Sequence, residues 1–126
     1  MAPRTRDPAP PPGSPRSIRT WRVATDFRQI DGSARKPLED HRRYPLCRVL
    51  LYCAACGWAR DYSPERIVIR LQALHQPGYR TLVGEVAGRV SWTCPACGRL
   101  RWVSLLAYRP DTSAEEVERA MRELRS

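Results

Sequence analysis

Apolar and polar side chains alternate from residue 21 onward. Trp21, Val23, Thr25 and Phe27 are interleaved with Arg22, Ala24, Asp26 and Arg28. A period of two predicts a short strand or extended arm with its aromatic side on a core. Asp31-Gly32-Ser33 predicts a turn, and residues 33–45, polar and basic through Arg35, Lys36, His41, Arg42 and Arg43, predict a loop. From Leu46 to Tyr52 the pattern becomes a continuous apolar run with β-branched and aromatic members, which predicts a strand. Gly57 to Tyr62 follows as its antiparallel partner. Arg89 to Thr93 and then Arg99 to Tyr108 repeat this plan, the latter being the longest strand candidate in the chain.

Helical spacing appears in three places. Ser63-Pro64-Glu65 supplies a cap acceptor, a proline at the first helical position and an acid at the positive end of the helix dipole. Ile67, Leu71 and Leu74 then recur at i, i+4 and i+7 with Val68 beside them. Ile67, Ile69 and Leu71 also fit a strand, and the cap decides for a helix, which Gln76-Pro77-Gly78 ends. A second short helix is expected from Thr81, with Leu82, Val83, Val86, Ala87 and Val90 on one face. Gly84 and Gly88 each cost it about 1 kcal/mol. Ser113-Ala114-Glu115-Glu116 is a capping box for a terminal helix. Val117, Ala120, Met121 and Leu124 form its apolar stripe, and Glu115–Arg119 and Glu118–Arg122 are i,i+4 pairs.

The turns that join the strand candidates carry the chemistry. Cys53-Ala54-Ala55-Cys56-Gly57 and Cys94-Pro95-Ala96-Cys97-Gly98 are two matched Cys-x-x-Cys-Gly hooks, with 37 residues between Cys56 and Cys94. Two residues between thiols let both sulfurs reach one ion from a single turn. The glycine permits positive φ behind the second cysteine, and amide N–H groups around the turn can donate to sulfur. Four thiolates close the tetrahedral shell of a structural zinc site, so Cys53, Cys56, Cys94 and Cys97 are the expected metal ligands. Reduced structural thiols or two disulfides are the plainer alternatives. His75 fits a helix C-terminus better than a fifth ligand position.

Composition then bounds the molecule. With 126 residues the chain makes at most one domain with tails. Residues 1–16 hold six prolines among Arg, Ala, Ser and Gly and predict a disordered basic tail, since they cannot bury enough apolar surface to offset ordering entropy. Residues 17–45 are expected as an extended arm and basic loop, 46–110 as the four-cysteine domain, and 111–126 as an amphipathic helix. Five cysteines leave Cys47 over; its neighbours Leu46, Val49, Leu50 and Leu51 mark it as a buried strand thiol. The first residues lack the apolar core of a secretory signal, and no run approaches the roughly 18 apolar residues of a membrane span. A cytoplasmic protein with reduced thiols, off the membrane, is expected. The formal charge is +9, or nearer +7 with four thiolates on a dication. Residues 44–109 carry nine basic and three acidic side chains, against three and five in residues 110–126. A basic surface of this kind favours polyanions.

Strand–hook–strand twice, with a tryptophan near each hook, resembles the zinc-ribbon domains over about residues 46–108. The helical insert between hooks is similar to that of small uncharacterised bacterial zinc-ribbon proteins. That resemblance implies a small α+β, zinc-ribbon-like fold and a binding or regulatory module, often on nucleic acid or on transcription machinery. Cys53-Ala-Ala-Cys56-Gly57 with Tyr62 and Pro64-Glu65, and Trp92-Thr-Cys94-Pro95-Ala-Cys97-Gly98, also resemble the two iron-ligand loops of rubredoxin. This second resemblance implies the same four ligands around Fe and electron transfer. Rubredoxins are typically acidic, with a shorter segment between hooks, so zinc is the favoured ion and iron the alternative.

Two kinds of partner follow. For nucleic acid or a nucleic-acid-associated complex, the candidates are Arg60, Arg99 and Arg101, which can pair with phosphate or guanine, and Trp58, Trp92 and Trp102, which can stack on bases. For a protein partner or self-association, the candidates are Val117, Met121 and Leu124 on the last helix. No nucleophile–base pair, phosphate-binding glycine loop or His-Glu-x-x-His appears, and four strong ligands leave a metal no open position. A non-enzymatic binding module is the expectation.

Overall fold

A computed structural model describes residues 23–125. The expected N-terminal tail, and Trp21 with it, lie outside these residues. Among the described residues four strands form one antiparallel sheet: β1 (Arg28–Gln29), β2 (Arg48–Cys53), β3 (Ala59–Tyr62) and β4 (Trp102–Tyr108), in the order β1-β4-β2-β3. Two α-helices, α1 (Pro64–Ala73) and α2 (Ala114–Arg125), and a series of 3-10 turns complete the α+β architecture. Among the described residues no helix is long and apolar enough to cross a membrane.

The apolar run in β2 follows from its central position. It pairs with β3 from Val49↔Tyr62 to Tyr52↔Ala59, and with β4 from Arg48↔Ala107 to Cys53↔Trp102. Both faces are covered, so Val49, Leu50 and Leu51 are all buried although adjacent side chains point in opposite directions. On one face Cys47 and Val49 join Leu38, Val68, Leu71, Val83 and Leu106. On the other, Leu50 meets Ala24, Phe27, Ala59 and Ala107. Helix α1 starts as its cap requires: the Ser63 side chain accepts from the Arg66 N–H with Pro64 at the first position. It buries Val68 and Leu71 and stops at His75, whose φ of 60° terminates the turn. Helix α2 carries the full capping box, Ser113 N–H to Glu116 Oε1 at 2.9 Å and Glu116 N–H to Ser113 Oγ at 3.1 Å.

Four expectations are corrected. Residues 23–27 are not a strand: Val23 makes one bridge to Trp58, and Ala24–Asp26 form a 3-10 turn. That turn sends Ala24 inward beside Phe27, leaving Val23 and Thr25 of the alternating set exposed. The polar segment 33–45 is not a loop but contains 3-10 turns at Ser33–Arg35 and Leu38–Arg43, and Leu38 is fully buried. The helix expected from Thr81 is replaced by 3-10 turns at Val83–Glu85 and Ala87–Arg89. Its backbone groups are used elsewhere. The Leu38 N–H donates to Thr81 O, the Val83 N–H to Lys36 O, and the Ala87 N–H to Ser104 Oγ. Gly84 sits where a Cβ would lie 2.9 Å from Ala34 O, so the close approach of two backbones fixes its identity. Residues 89–93 are likewise not a strand; β4 alone serves the second hook.

Two buried serines complete the sheet. Ser104 Oγ, besides accepting from Ala87, donates to Val83 O at 2.7 Å. Ser33 Oγ accepts from the Leu106 N–H at 2.8 Å and donates to Leu106 O at 3.3 Å. The Ser33 hydroxyl thus stands in for a strand partner at Leu106, and the Ser104 hydroxyl satisfies backbone groups of the 3-10 turns beside β4.

Candidate metal centre

Each hook has the same backbone turn. The Gly57 N–H donates to Cys53 O and the Gly98 N–H to Cys94 O, both at 2.8 Å. The Cys53 N–H donates to Trp58 O at 2.8 Å and the Cys94 N–H to Arg99 O at 2.7 Å. Gly57 and Gly98 take φ of 87° and 79°, a region that side chains with a Cβ rarely enter. The matched sequence thus yields a matched turn, and β2 and β4 set the two turns against each other. The Cys53↔Trp102 pairing and a 2.7 Å bond from the Ala54 N–H to Arg101 O lock that arrangement.

The ligand atoms of Cys53, Cys56, Cys94 and Cys97 all lie within 4.8 Å of one another. Cys53 Sγ is 3.6 Å from Cys97 Sγ, and Cys56 Sγ is 3.6 Å from Cys94 Sγ. A disulfide would need about 2.05 Å. A zinc tetrahedron with Zn–S of about 2.3 Å has edges of about 3.8 Å. The sulfurs therefore stand at coordination spacing and not at bonding spacing, and all four are free thiols. This donor set fits one metal ion held equally by both hooks. Cys53 and Cys94 are buried and Cys56 and Cys97 exposed, so the site lies at the surface with its inner half packed.

The electrostatics match a site built for a cation. Burial pushes the Cys53 thiol up, but the N–H groups of Cys56 and Ala55 and the neighbouring Cys97 and Cys56 thiols together bring it down to about 7. Cys56 moves the opposite way, to about 12, because burial and the three other sulfurs oppose a further negative charge. Burial likewise raises Cys94. The Ala96 N–H also points at Cys94 Sγ, at 3.4 Å. Four thiols in one shell resist losing four protons on their own, and a dication removes that resistance.

Trp58 is buried and packs with Cys53 and Cys94, and Trp102 closes over them. Trp58, Trp92 and Trp102 form a mutual edge-to-face cluster, with centroids 6.4 Å (58–92), 5.9 Å (58–102) and 4.7 Å (92–102) apart. Trp102 Nε1 donates to Trp92 O at 2.8 Å, which holds the chain that enters the second hook where no strand does. Sequence reasoning did not find this bond, because nothing in the spacing says which indole meets which carbonyl.

The other candidate residues fall in separate places. Arg60, Arg99 and Arg101 are exposed around the hooks, with the Arg60 guanidinium 5.4 Å from the Tyr62 ring centroid. Trp58 faces inward, Trp102 is half-buried, and Trp92 is the most exposed of the cluster. Val117 and Met121 are half-buried and Leu124 is exposed on α2, apart from the hooks. His75 is exposed and outside the cysteine cluster. Cys47 is buried on β2's approach with its thiol directed at His41 O. No family model, curated protein or solved structure matches the chain.

Proposed function

We propose that the protein is a non-enzymatic, zinc-ribbon-like module in which Cys53, Cys56, Cys94 and Cys97 hold one structural Zn²⁺. Its basic surface around the hooks engages nucleic acid or a nucleic-acid-bound complex. The observation that carries the metal half is the pair of 3.6 Å cross-hook sulfur distances, close to a zinc–thiolate tetrahedral edge. With the shell filled by protein, the ion crosslinks the two hooks at one end of the sheet and offers no vacancy for a reacting water. Charge supports the second half. The protein carries a formal +9, and Arg60, Arg99 and Arg101 stand exposed beside the rigid turns.

Metal content and absorbance of protein purified without added metal test the first half. One colourless Zn²⁺ per chain is expected. A red protein with iron–thiolate bands would replace zinc by iron and favour rubredoxin-like electron transfer, since an all-thiolate tetrahedron suits both ions. Titration with labelled single- and double-stranded oligonucleotides at increasing salt tests the second half. Three arginine–phosphate contacts give a slope of log K on log salt of roughly −2 to −3, and each Arg→Ala change removes close to one contact's share. Zinc-loaded protein without salt-dependent binding would leave a metal module with a protein partner instead.

A further inference from the structure

A groove runs along α1, with a volume of about 550 Å³, which is the size of a small-molecule cleft. The buried Leu51 and Leu71 form its floor, and Ile67, Leu74, Val86 and Val90 its sides. Leu74 and Trp92 are 53% and 40% exposed, so the apolar lining reaches solvent. From Ile67 to Leu74 the helical side spans about 10.5 Å.

Every charged side chain in this lining is an arginine: Arg66, Arg70 and Arg89. All three are exposed at the edge of the apolar surface, and none forms an ion pair with a described residue. Arg66 and Arg70 stand one turn apart on α1, where like charges oppose the helix. The acids of the flanking segments are engaged elsewhere. Asp61 accepts from Arg48 and Arg109, and Glu85 accepts from the Leu82 N–H. Glu65 accepts from the Tyr79 hydroxyl and lies 3.2 Å from His41 Nε2. Arg89 is held in place, its Nη1 donating to Gln76 Oε1. An aliphatic interior therefore meets a cationic rim that no described carboxylate neutralises.

We propose that the groove binds a free single-chain amphiphile, an aliphatic tail with an anionic carboxylate or phosphate head. The tail lies along Leu71 and Leu74 against Val86 and Val90. The head meets Arg66, Arg70 and Arg89, whose forked N–H donors match two oxygens of either oxyanion. Other anionic or apolar occupants suit only half of the site. A nucleic-acid base asks for aromatic faces to stack on, and the lining offers one exposed ring, Trp92, among aliphatic carbon. Residues 1–22 carry five arginines against one aspartate, so that stretch would bring like charge to the rim. Arg60, Arg99 and Arg101 do not line the groove, so this site is independent of nucleic-acid binding beside the hooks.

Isothermal titration of the metal-loaded full chain with alkanoates from octanoate to hexadecanoate, each below its micelle concentration, tests this. Each added methylene should tighten binding about fourfold until the tail outgrows the groove. The uncharged alcohol of equal length should bind roughly tenfold to a hundredfold more weakly than the carboxylate. Arg66→Gln/Arg70→Gln should lose a similar factor for dodecanoate and dodecyl phosphate alike. Leu74→Ser should weaken dodecanoate roughly fivefold to tenfold, since part of the apolar side is lost. Arg80→Gln/Arg119→Gln removes the same charge away from the groove and should bind as the native chain does. Far-UV circular dichroism and zinc content, unchanged in every variant, separate loss of the site from loss of fold. A native chain that binds no alkanoate would overturn the proposal. So would equal losses in the two arginine pairs, an affinity independent of tail length, or binding to anionic phospholipid vesicles alone, which would make the groove a membrane contact.

Discussion

Replacing Cys97 by serine tests the metal centre most cleanly. Cys97 and Cys56 are the exposed ligands, whereas Cys53 and Cys94 are buried, so a serine at 53 or 94 would also bury a hydroxyl. At 97 the change removes a thiolate and little else. Structural zinc in small cysteine sites binds with roughly 10–16 kcal/mol of apparent free energy. Sharing this among four ligands gives about 2.5–4 kcal/mol each, or roughly a hundredfold to a thousandfold in affinity. That share is large beside a net folding stability of about 5–15 kcal/mol for a domain of ordinary size. Competition with a chromophoric chelator reads the affinity. Tryptophan emission reads the structure, because Trp58, Trp92 and Trp102 all lie against the hooks. Loss of the ion should shift the emission to the red as the cluster opens. Cys47→Ala is the control, its thiol lying outside the four-sulfur group. If Cys97→Ser bound zinc as tightly as the native chain, or Cys47→Ala weakened it equally, the four-thiolate assignment would fail.

Three further outcomes follow from the structure. Ser33→Ala leaves the buried Leu106 N–H without its acceptor, which should cost about 2 kcal/mol and lower Tm by roughly 8–16 °C in a domain of about a hundred residues; an unchanged melting curve would show that this hydroxyl does not support β4. Burial holds the Cys47 thiol up at about 12, so at neutral pH one cysteine should resist a thiol reagent until the chain unfolds, even after the metal ligands have reacted, as mass mapping of the labelled sites would show. The Ser113 N–H and hydroxyl hold Glu116 below the ordinary carboxylate range, so this group stabilises α2 above about pH 4.3 and the contribution is lost as pH falls through its lowered folded value. Amide exchange in the first turn of α2 should therefore quicken on acidification in the native chain and much less in Glu116→Gln, which keeps the capping acceptor without the charge.

Local chemistry made part of this protein legible. The Cys-x-x-Cys-Gly spacing picks out the four cysteines that cluster, because both sulfurs of a hook are positioned by one turn whose shape depends on five adjacent residues. Caps work over the same range, which is why Ser63-Pro64 and Ser113 with Glu116 marked the starts of α1 and α2 correctly. Val49, Leu50 and Leu51 read as a buried strand because a centre strand covered on both faces leaves no polar alternation to misread. Where the sequence misled, long-range hydrogen bonds had overridden local preference. Residues 81–87 have a helix-like apolar face, yet their amides and carbonyls pair with Lys36, Leu38 and Ser104. Leu38 looked like one apolar residue in a polar loop, but it is fully buried because the turns around it fold onto β2 and α1.

The sequence by itself determined the four cysteines of the cluster, the central strand, both helices and the sign of the net charge, since each is written in neighbouring residues or in composition. Only the tertiary structure decided that the hooks face each other across β2 and β4 at 3.6 Å between sulfurs. It alone gathered Trp58, Trp92 and Trp102 over the site, and set Arg66 and Arg70 beside Arg89 around one groove. These juxtapositions join residues from different elements, and their partners are chosen by packing and by the need to satisfy buried backbone groups, which no single stretch of chain encodes.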